Sequence, residues 1–575
     1  MADGKAQIVF TLTARCRDCY RCLRVCPVKA IRMKNGQAYV DETLCIACGT
    51  CIRECPQQAK TFRQDIENVQ RLIESDQFVA ASIAPSFAAV FTGWQRKRLP
   101  SALRALGFNY VGQTSQGAFQ ISACTAELMR EKDASTYIAT ACPAVVNYIE
   151  KYEHAMVDKL IPLVSPMVAH AKMLKMRHGE KSAVVFIGPC VAKKSEILRP
   201  EIAGAVDCVL TFKELTAWLE QRSIKLSTCE ESDFDEGPVV DAQLYPLPGG
   251  SIKTAELRDD GLDRRIVRAD GVANVKEILA SLPRDSKYTL IEPLFCGQGC
   301  INGPGTEMEK TVFERRRDIV EYNDEIRDDR PSPPLQEASL FCTSFNKETG
   351  LLPHASEEEI QAVLESTGKA NPQQQLNCGA CGYDSCRDKA IAVVQGMAEP
   401  EMCIPFMRRL AERRTDRIID TSPNGIVILD ENLIIISVNP TFKHFFTCSD
   451  AVLGRHISYL MDPAPFEKLV SGVADMVDTT VSYRSYNLLC RQLLYTLKEE
   501  RQIVGIFMNI TSQEEQERRL KELKSQTVEQ ANELLEHQVK MAINIAQFLG
   551  ESTAKGEALV KKLLALSEGD EKGLD

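Results

Sequence analysis

Residues 294–305 read Leu-Phe-Cys-Gly-Gln-Gly-Cys-Ile-Asn-Gly-Pro-Gly, and they follow the apolar run 288–291. The apolar run predicts a buried strand. The glycines predict a turn whose backbone can adopt positive φ and approach a bulky ligand closely. A strand that ends in a glycine-rich turn is where an open α/β sheet places its ligand. Two thiols, Cys296 and Cys300, lie on this turn, and by itself the turn leaves two buried, inert cysteines as an equal alternative.

Two further loops of the same kind occur earlier in the chain. The sequence Thr-Ala-Cys-Pro at residues 140–143 follows the apolar run 137–139, and Gly-Pro-Cys-Val-Ala-Lys-Lys-Ser-Glu at 188–196 follows the run 183–187. Each apolar run again predicts a buried strand. The three strand-end loops together present four thiols, which is the number of ligands of a cubane [4Fe–4S] cluster.

Helices are predicted between these strands. Two more buried strands are predicted at 78–85 and 207–212, and helices at 65–75, 167–176 and 273–282. Strands interleaved with helices indicate α/β layers. Residues 227–262 are rich in Asp, Glu, Gly and Pro, and we expect them to form a loop-dominated excursion from those layers.

The three cysteine loops, in this order, resemble the three signature motifs of the [FeFe]-hydrogenase family, and the resemblance covers residues 75–320. In that family the four cysteines hold a [4Fe–4S] cluster, and one thiolate bridges to a di-iron subsite that carries CO, CN⁻ and an azadithiolate. The resemblance implies two α/β lobes with the active site between them, and H₂ and protons as substrates. It implies that the cluster ligands are Cys142, Cys190, Cys296 and Cys300, with Cys300 as the bridging ligand.

The resemblance also assigns roles to side chains beside the thiols. Lys193 matches the lysine that donates to a cyanide of the di-iron subsite, and Glu196 matches the glutamate that orients this lysine. The alternative for Lys193 and Glu196 is a solvated surface ion pair. Active members carry a cysteine that hands protons to the azadithiolate at the place of Ala141. Because alanine has no exchangeable side-chain proton, the usual first relay group is absent.

Other departures occur around the same site. Gly188 and Leu294 replace methionines that flank the di-iron subsite in active members, and Glu127 is a candidate match for a carboxylate of the proton relay. Together with Ala141, this pattern resembles the sensory branch of the family. The resemblance therefore implies a hydrogenase of slow turnover that reports H₂ or redox state.

The first 62 residues contain one cysteine motif twice. The pattern Cys-x2-Cys-x2-Cys-x3-Cys-Pro occupies residues 16–27 and again 45–56. This is the bacterial two-cluster ferredoxin pattern, in which the fourth cysteine of each run ligates the other cluster. A zinc site would not need eight thiols in this doubled spacing. Segments 28–31 and 57–60 are predicted to start a short helix after each run. The predicted ligand sets are Cys16, Cys19, Cys22 and Cys55 for one [4Fe–4S] cluster, and Cys45, Cys48, Cys51 and Cys26 for the other.

A third cluster signature lies further along the chain. It has the spacing Cys-x2-Cys-x4-Cys-x16-Cys and resembles a small four-cysteine Fe–S domain of several redox proteins. Four thiols could also bind zinc, but the two ferredoxin clusters favour another [4Fe–4S] cluster. A Pro-rich segment, 328–334, predicts a linker before it. The predicted ligands are Cys378, Cys381, Cys386 and Cys403.

Residues 411–512 contain no thiol pattern and resemble a PAS domain. The segment 417–430 reads as helix, turn and strand, and the sequence Asn-Ile-Thr at 509–511 resembles the closing tripeptide of PAS domains. Later strands are predicted at 433–438, 481–490, 492–498 and 503–509.

The C-terminal part is predicted to be helical. Residues 512–540 are highly charged with apolar residues near heptad spacing, which predicts an exposed or coiled-coil helix. Residues 541–566 predict a second pair of amphipathic helices that forms a dimer or docking face, and 567–575 a disordered tail. Since no kinase, phosphatase or DNA-binding module is recognisable, we expect the output to be made by a kinase or phosphatase partner.

Composition limits the classes of protein. The 575 residues predict several domains, and the net charge of −10 argues against a nucleic-acid surface. The start of the chain has no apolar core of a signal peptide, and no apolar run approaches the ~20 residues of a membrane helix. The spacing of the 22 cysteines predicts metal ligation in a reducing cytoplasm instead of disulfides. The cysteines outside the motifs are predicted to be buried small apolar residues: Cys124, Cys208, Cys229, Cys342, Cys448 and Cys490.

The predicted fold is a multidomain α+β and α/β chain. Its predicted domains are a two-cluster ferredoxin domain (1–65), an [FeFe]-hydrogenase domain (66–345), a four-cysteine domain (346–410), a PAS domain (411–512) and signalling helices (513–575). The leading hypothesis is a sensory hydrogenase that interconverts H₂ with two protons and two electrons and exchanges electrons with a ferredoxin-like partner. The alternatives are a catalytic ferredoxin-linked hydrogenase, and a non-hydrogenase Fe–S electron-transfer or scaffold protein of the prelamin-recognition type.

Overall fold

The computed structural model describes residues 7–130, 136–257, 265–282, 288–307, 309–326, 333–349 and 352–567. The chain divides into two compact units, Met1–Met407 and Arg408–Asp575. Both contain helices and sheets, which confirms the predicted multidomain α/β and α+β class. Among the helices of the described residues, none is long and apolar enough to span a membrane.

The N-terminal segment forms two small antiparallel strand pairs around its cysteine runs. Val9–Thr11 pairs with Lys60–Phe62, and Ile31–Lys34 pairs with Gln37–Val40. The short helices Arg21–Val25 and Thr50–Arg53 lie inside the cysteine runs.

The expectation that segments 28–31 and 57–60 begin helices was wrong, because both lead into strands. Lys29 and Gln58 take φ of 52° and 49°, which interrupts a right-handed helix.

The first sheet of the α/β region has four parallel strands. Their order is Tyr110–Gln113, Val79–Ile83, Ala183–Gly188 and Cys208–Thr211. The strands are almost wholly buried, as parallel strands covered on both faces must be. This confirms the three strands that were predicted at 78–85, 183–187 and 207–212. The helices of the surrounding region are Ile66–Glu74, Phe87–Val90, Trp94–Leu106, Ser115–Arg130, Pro166–His178, Phe212–Gln221 and Val312–Glu325.

The second sheet of this region has three parallel strands. Their order is Ile266–Asp270, Leu290–Leu294 and Tyr137–Ile138. Helices Pro143–Tyr152 and Val272–Ser281 follow two of them. The strands ending at Ile138, Gly188 and Leu294 therefore lead into the three cysteine loops, as the apolar runs predicted.

The predicted excursion at 227–262 is loop-dominated in its described part, and residues 258–262 lie outside the described residues. Its only described helical segments are the one-turn pieces Leu226–Thr228 and Ala242–Leu244, and the short helix Gly250–Thr254.

The four-cysteine segment is built on two helices, Glu357–Ser366 and Cys386–Val394, which pack through Ile360, Leu364 and Ala390. Most of the predicted linker before it, residues 328–332, lies outside the described residues.

The second unit contains a five-stranded antiparallel sheet, which follows helix Ile404–Asp420. The order of the strands is Ile435–Val438, Gly425–Leu429, Gln502–Asn509, Leu488–Leu497 and Met476–Tyr483. The helices Pro440–Phe445 and Ala464–Val470 connect strands of this sheet. Its core contains Phe442, Phe446 and Phe507.

The prediction of one strand at 481–490 was wrong. The segment turns at Arg484–Tyr486, and Asn487 takes φ of 48°, so two strands form a hairpin there. The remaining strand predictions of this unit are confirmed with shifted ends.

The C-terminal part is one helix, Thr511–Ser567. The prediction of separate helical segments was therefore wrong, because no proline interrupts the pattern and isolated glycines are tolerated inside a helix. Residues 568–575 of the predicted tail lie outside the described residues. The apolar side chains of this helix are exposed, among them Leu523, Leu534 and Phe548.

Candidate metal centre

The four strand-end thiols interact electrostatically in the folded chain. The charges of Cys142, Cys190 and Cys300 act on Cys296, and those of Cys142 and Cys190 act on Cys300. Burial first, and then the neighbouring thiols, raise the pKa of Cys190 to about 12 and the pKa values of Cys296 and Cys300 well above their ordinary value. The raised pKa values favour the protonated form of these three thiols when no metal is bound. Cationic iron would favour their thiolate form, so this donor set fits a metal cluster.

Close backbone packing brings the thiol loops together. The N–H of Cys300 donates to the carbonyl oxygen of Pro246 at 2.7 Å. A side chain at Gly299, whose φ is 84°, would clash with the same oxygen. A Cβ at Gly303 would lie 2.5 Å from the carbonyl oxygen of Pro189, next to Cys190. The glycines of the third loop therefore permit its contact with the second.

A pocket of about 80 Å³ opens beside two of the thiols. Cys190 and Cys300 line it together with Ala141 and Lys193. The rest of the lining is mainly apolar and includes Pro85, Met167, Phe186, Pro189, Pro246 and Leu294. The structure thus brings Cys300, the predicted bridging ligand, together with Lys193 and Ala141 in one pocket.

The ammonium of Lys193, a residue that lines this pocket, is held by three acceptors. Its Nζ donates to Glu196 Oε2 and Ser165 Oγ, both at 2.7 Å, and to the carbonyl oxygen of Ala141 at 3.4 Å. Lys193 and Glu196 are each only 7% exposed, so they are not the solvated surface pair of the alternative interpretation. Two of the three N–H groups of the ammonium are held at 2.7 Å, and the third, whose contact with Ala141 is 3.4 Å, is left to donate to an anionic ligand of a bound group.

One polar atom of the pocket has no protein partner. The Oγ of Ser86 is buried, and no described residue hydrogen-bonds to it. Buried hydroxyls normally find a partner, so Ser86 and Lys193 together leave the pocket suited to a group with polar ligands. The residues present therefore fit a di-iron subsite with cyanide ligands.

The positions that depart from active members have different surroundings. Leu294 lines the pocket. A Cβ at Gly188 would lie 2.6 Å from the ring of Phe186, which itself lines the pocket, so a larger residue at 188 would displace this ring. Glu127 is exposed on helix Ser115–Arg130 and is not among the pocket-lining residues.

The thiols of the N-terminal segment fall into two groups whose members interact electrostatically. The charges of Cys16, Cys19 and Cys55 act on Cys22. Those of Cys45, Cys48 and Cys26 act on Cys51 in the same way.

The second of these groups neighbours the strand-end thiols, because the charge of Cys142 acts on Cys48. Helix Pro143–Tyr152, which follows Cys142, hydrogen-bonds to the backbone beside the second ferredoxin run. Lys151 Nζ donates to the carbonyl oxygen of Cys45 at 3.1 Å, and Asn147 Nδ2 donates to that of Ile46 at 3.3 Å.

The third set of thiols, Cys378, Cys381, Cys386 and Cys403, lines one pocket. Lys369 Nζ donates to Cys386 Sγ at 3.2 Å. Arg24 and Lys29 of the ferredoxin segment donate to the carbonyl oxygens of Ala380 and Gly382 at 3.2 and 2.7 Å. The thiol loop therefore packs against the first ferredoxin run. Across the described residues, no three His, Cys, Asp or Glu side chains form a group that could hold a single metal ion.

Sequence reasoning missed Lys194, which is fully buried beside Lys193. Its Nζ donates to Asp65 Oδ2 at 2.7 Å, to Glu214 Oε1 at 3.0 Å and to the carbonyl oxygen of Val209 at 2.7 Å. These partners lie on three separate elements, so no local pattern could have indicated them. Lys194 anchors the second cysteine loop to the ends of neighbouring elements.

Four family models match parts of the chain. They describe the C-terminal domain of the iron only hydrogenase large subunit (77–304), a 4Fe-4S dicluster domain (15–62), a putative Fe-S cluster domain (374–405) and a PAS domain (413–476). These matches confirm the predicted kinds of domain, whereas the domain boundaries and the individual ligands stay predictions.

Curated relatives fall into two groups. The NADP-reducing hydrogenase subunit HndD of Solidesulfovibrio fructosivorans is 26% identical over 331 residues, which cover 46% of this chain and 56% of HndD. Iron hydrogenase 1 of Clostridium pasteurianum is 24% identical over 403 residues, which cover 56% of this chain and 70% of the relative. The cytosolic Fe-S cluster assembly factor narfl of Xenopus tropicalis is 25% identical over 325 residues, which cover 45% and 67%.

Among solved structures, a variant of [FeFe]-hydrogenase HydA1 from Chlamydomonas reinhardtii has a TM-score of 0.41 at 17% identity, covering 50% of this chain and 99% of HydA1. By its four family matches, the chain combines a 4Fe-4S dicluster domain, the C-terminal domain of an iron-only hydrogenase large subunit, a further Fe–S domain and a PAS domain.

Proposed function

We propose that this protein is a sensory [FeFe]-hydrogenase that interconverts H₂ with two protons and two electrons slowly and reports the result through its PAS domain. One observation carries the proposal. The pocket has a thiol, a fixed ammonium and a free hydroxyl suited to a di-iron group, yet Ala141 offers no side-chain proton there. Active members of the family that the motifs resemble place a thiol at that position.

The chain's own residues have separate tasks in this proposal. Cys142, Cys190, Cys296 and Cys300 would hold the [4Fe–4S] cluster, and Cys300 would also hold the di-iron subsite, which when bound supplies heterolytic cleavage of H₂. Lys193 would donate to an anionic ligand of that subsite. Glu196 and Ser165 keep the ammonium of Lys193 in place.

Electrons would leave through the neighbouring thiol groups. The set containing Cys48 interacts with Cys142, and the set containing Cys22 belongs to the same small ferredoxin segment. The four-cysteine segment packs against that segment through Arg24 and Lys29. Single-electron transfer through such a series would link the pocket to a ferredoxin-like partner and to the signalling part of the protein.

The proposal also includes a signalling partner, an oligomeric state and a cellular location. A kinase or phosphatase would read the signal, and the exposed apolar side chains of helix Thr511–Ser567 support a homodimer. The cysteine spacing supports a cytoplasmic location, where thiols stay reduced.

A second candidate is an Fe–S protein without the di-iron group. The similarity to narfl favours it. A protein without the group has no evident use for the buried ammonium of Lys193 and the unpartnered hydroxyl of Ser86. A third candidate, a fast ferredoxin-linked hydrogenase, is disfavoured by Ala141.

Infrared spectroscopy of the matured full-length protein tests the proposal. We expect bands from metal-bound CO and CN⁻, which the Cys300→Ala variant should lack. Their absence from the native protein would refute both hydrogenase hypotheses. If the bands are present, H₂ evolution from reduced viologen separates a slow sensor from a fast enzyme.

A further inference from the structure

A chain of hydrogen bonds starts at Thr114 in the lining of the proposed di-iron pocket. Thr114 lines the pocket, and its Oγ1 lies 2.8 Å from Ser82 Oγ. Ser82 Oγ lies 2.8 Å from His170 Nδ1. His170 Nε2 in turn hydrogen-bonds Glu236 Oε1. Four side chains from a strand, a helix and two connecting segments therefore form one continuous series.

The series leads from the interior to the surface. Thr114 is 3% exposed, and Ser82 and His170 are fully buried. The Glu236 side chain is 8% exposed, and its Oε2 accepts from Arg177 Nη1 at 2.9 Å. The Arg177 side chain is 51% exposed. The outer end of the series therefore lies where solvent can exchange protons with it.

Two glycines make room for these contacts. A Cβ at Gly112 would lie 2.5 Å from Glu236 Oε1 and 3.1 Å from the Cε1 atom of His170. A Cβ at Gly117 would lie 2.6 Å from the backbone nitrogen of His170. Any larger residue at either position would push His170 or Glu236 away. The meeting of the two side chains thus depends on close packing at two independent places.

The chemistry of the four groups suits proton transfer. A hydroxyl both donates and accepts, an imidazole accepts at one nitrogen while it donates at the other, and a carboxylate accepts. Arg177 stays protonated and cannot carry the proton itself. Burial works to raise the pKa of Glu236, but His170 and Arg177 outweigh it and lower this pKa. The side chain therefore stays ionised, and its Oε1 can accept the hydrogen bond from His170 Nε2.

We propose that Thr114, Ser82, His170 and Glu236 conduct protons between the pocket and solvent in place of the thiol that is missing at position 141. The inference rests on the proposed hydrogenase function. A proton released in the pocket bonds to Thr114 Oγ1 as the proton of Thr114 moves to Ser82 Oγ. The proton of Ser82 then moves to His170 Nδ1, and the proton on Nε2 moves to Glu236 and on to water.

Each transfer breaks one O–H or N–H bond and forms another, and no electron moves. Rotation of the two hydroxyls and return of the imidazole to its first tautomer reset the series. Formation of H₂ uses the same series in the opposite direction. Arg177 and Gly112 position Glu236 and do not carry the proton.

The first test needs no di-iron group. In the full-length protein expressed without maturation and labelled with ¹⁵N only at histidine, the His170→Gln variant identifies the signals of His170. We expect Ser82→Ala to shift the Nδ1 resonance and leave Nε2 nearly unchanged, and Glu236→Gln to do the reverse. If neither substitution shifts its partner nitrogen, the series does not exist in solution and the proposal is wrong.

The second test measures H₂ turnover of matured variants at equal di-iron content judged by infrared. A positioned proton relay contributes about 10²–10⁴-fold, and a water that replaces a lost hydroxyl recovers part of this. We therefore expect Ser82→Ala and Thr114→Val each to lower turnover about tenfold or more. The matched control is Ser182→Ala, which removes another buried hydroxyl of the same sheet region, one that donates to the carbonyl oxygen of Gly179 and takes no part in the series, and it should leave turnover unchanged.

A competing route is available through Tyr245, which lines the pocket and hydrogen-bonds Ser122. If Tyr245→Phe lowers turnover while Ser82→Ala and Thr114→Val do not, protons take that route and the proposal is refuted. In an Ala141→Cys background, Ser82→Ala should lower H₂ turnover by a smaller factor than it does in the native protein, because a parallel thiol route is present. Absence of CO and CN⁻ bands from the native protein would instead overturn the proposed function and this inference with it.

Discussion

Replacing Ala141 with cysteine tests whether a missing proton carrier limits this protein. Ala141 lines both the 80 Å³ pocket beside Cys300 and a smaller cavity of about 20 Å³. A thiol at this position would therefore border both spaces. We expect Ala141→Cys to raise H₂ turnover, because a thiol can exchange protons and a methyl group cannot.

The size of the gain follows from the surroundings. A complete relay contributes about 10²–10⁴-fold. The smaller cavity has room for about one water, next to Ser122, Thr125 and Tyr245. The new thiol would therefore have a water as its next proton carrier in place of a complete relay of side chains. Burial raises the pKa of the neighbouring Cys190 to about 12, and the new thiol would be disfavoured as a thiolate for the same reason. We therefore expect a gain of about 10–100-fold, which is about 1.4–2.7 kcal/mol of activation free energy.

The assay compares H₂ evolution from reduced viologen by the native protein and the variant at equal intensity of the CO and CN⁻ bands. The matched control is Ala139→Cys, because Ala139 lines the smaller cavity but not the larger pocket. The control should turn over at the native rate. If the Ala141→Cys protein has intact bands and unchanged turnover, proton supply at this position is not limiting. If the native protein turns over as fast as catalytic hydrogenases, the sensor proposal loses its physical basis.

Three further substitutions have clear expected outcomes. Cys300→Ala should abolish H₂ oxidation, and full activity would contradict its assignment as the bridge. Cys381→Ala should remove the iron of one cluster and leave the CO and CN⁻ bands intact; their loss would mean that this segment is part of the catalytic fold. Lys194→Met removes the ammonium between two buried carboxylates, so that Asp65 keeps only its ion pair with Arg63 and Glu214 loses its pair with Lys194. The variant should destabilise its domain by about 3–5 kcal/mol, as measured by tryptophan fluorescence during urea unfolding. The control Lys225→Met, at an exposed position, should change stability by less than about 0.5 kcal/mol, and equal stability of the two variants would disprove the role of Lys194.

Much of the architecture could be predicted because its signals are local. The doubled cysteine spacing of residues 16–56 indicated the ferredoxin segment, and the apolar runs before Cys142, Cys190 and Cys296 indicated strands that the sheets confirm. Local reasoning failed where backbone geometry decides. Positive φ at Lys29 turns a predicted helix into a strand, because a left-handed residue breaks the helical repeat.

The sequence by itself determined which chemistry the chain can hold: the number and order of the thiols, the lysine beside them, and a methyl group at Ala141 where a proton carrier would act. Only the tertiary structure decided which distant groups meet. Ser82 and His170 are 88 positions apart, and His170 and Glu236 are 66 positions apart. Hydrogen bonds require contact within about 3 Å, and that contact depends on how sheets, helices and loops pack, which no short stretch of sequence encodes.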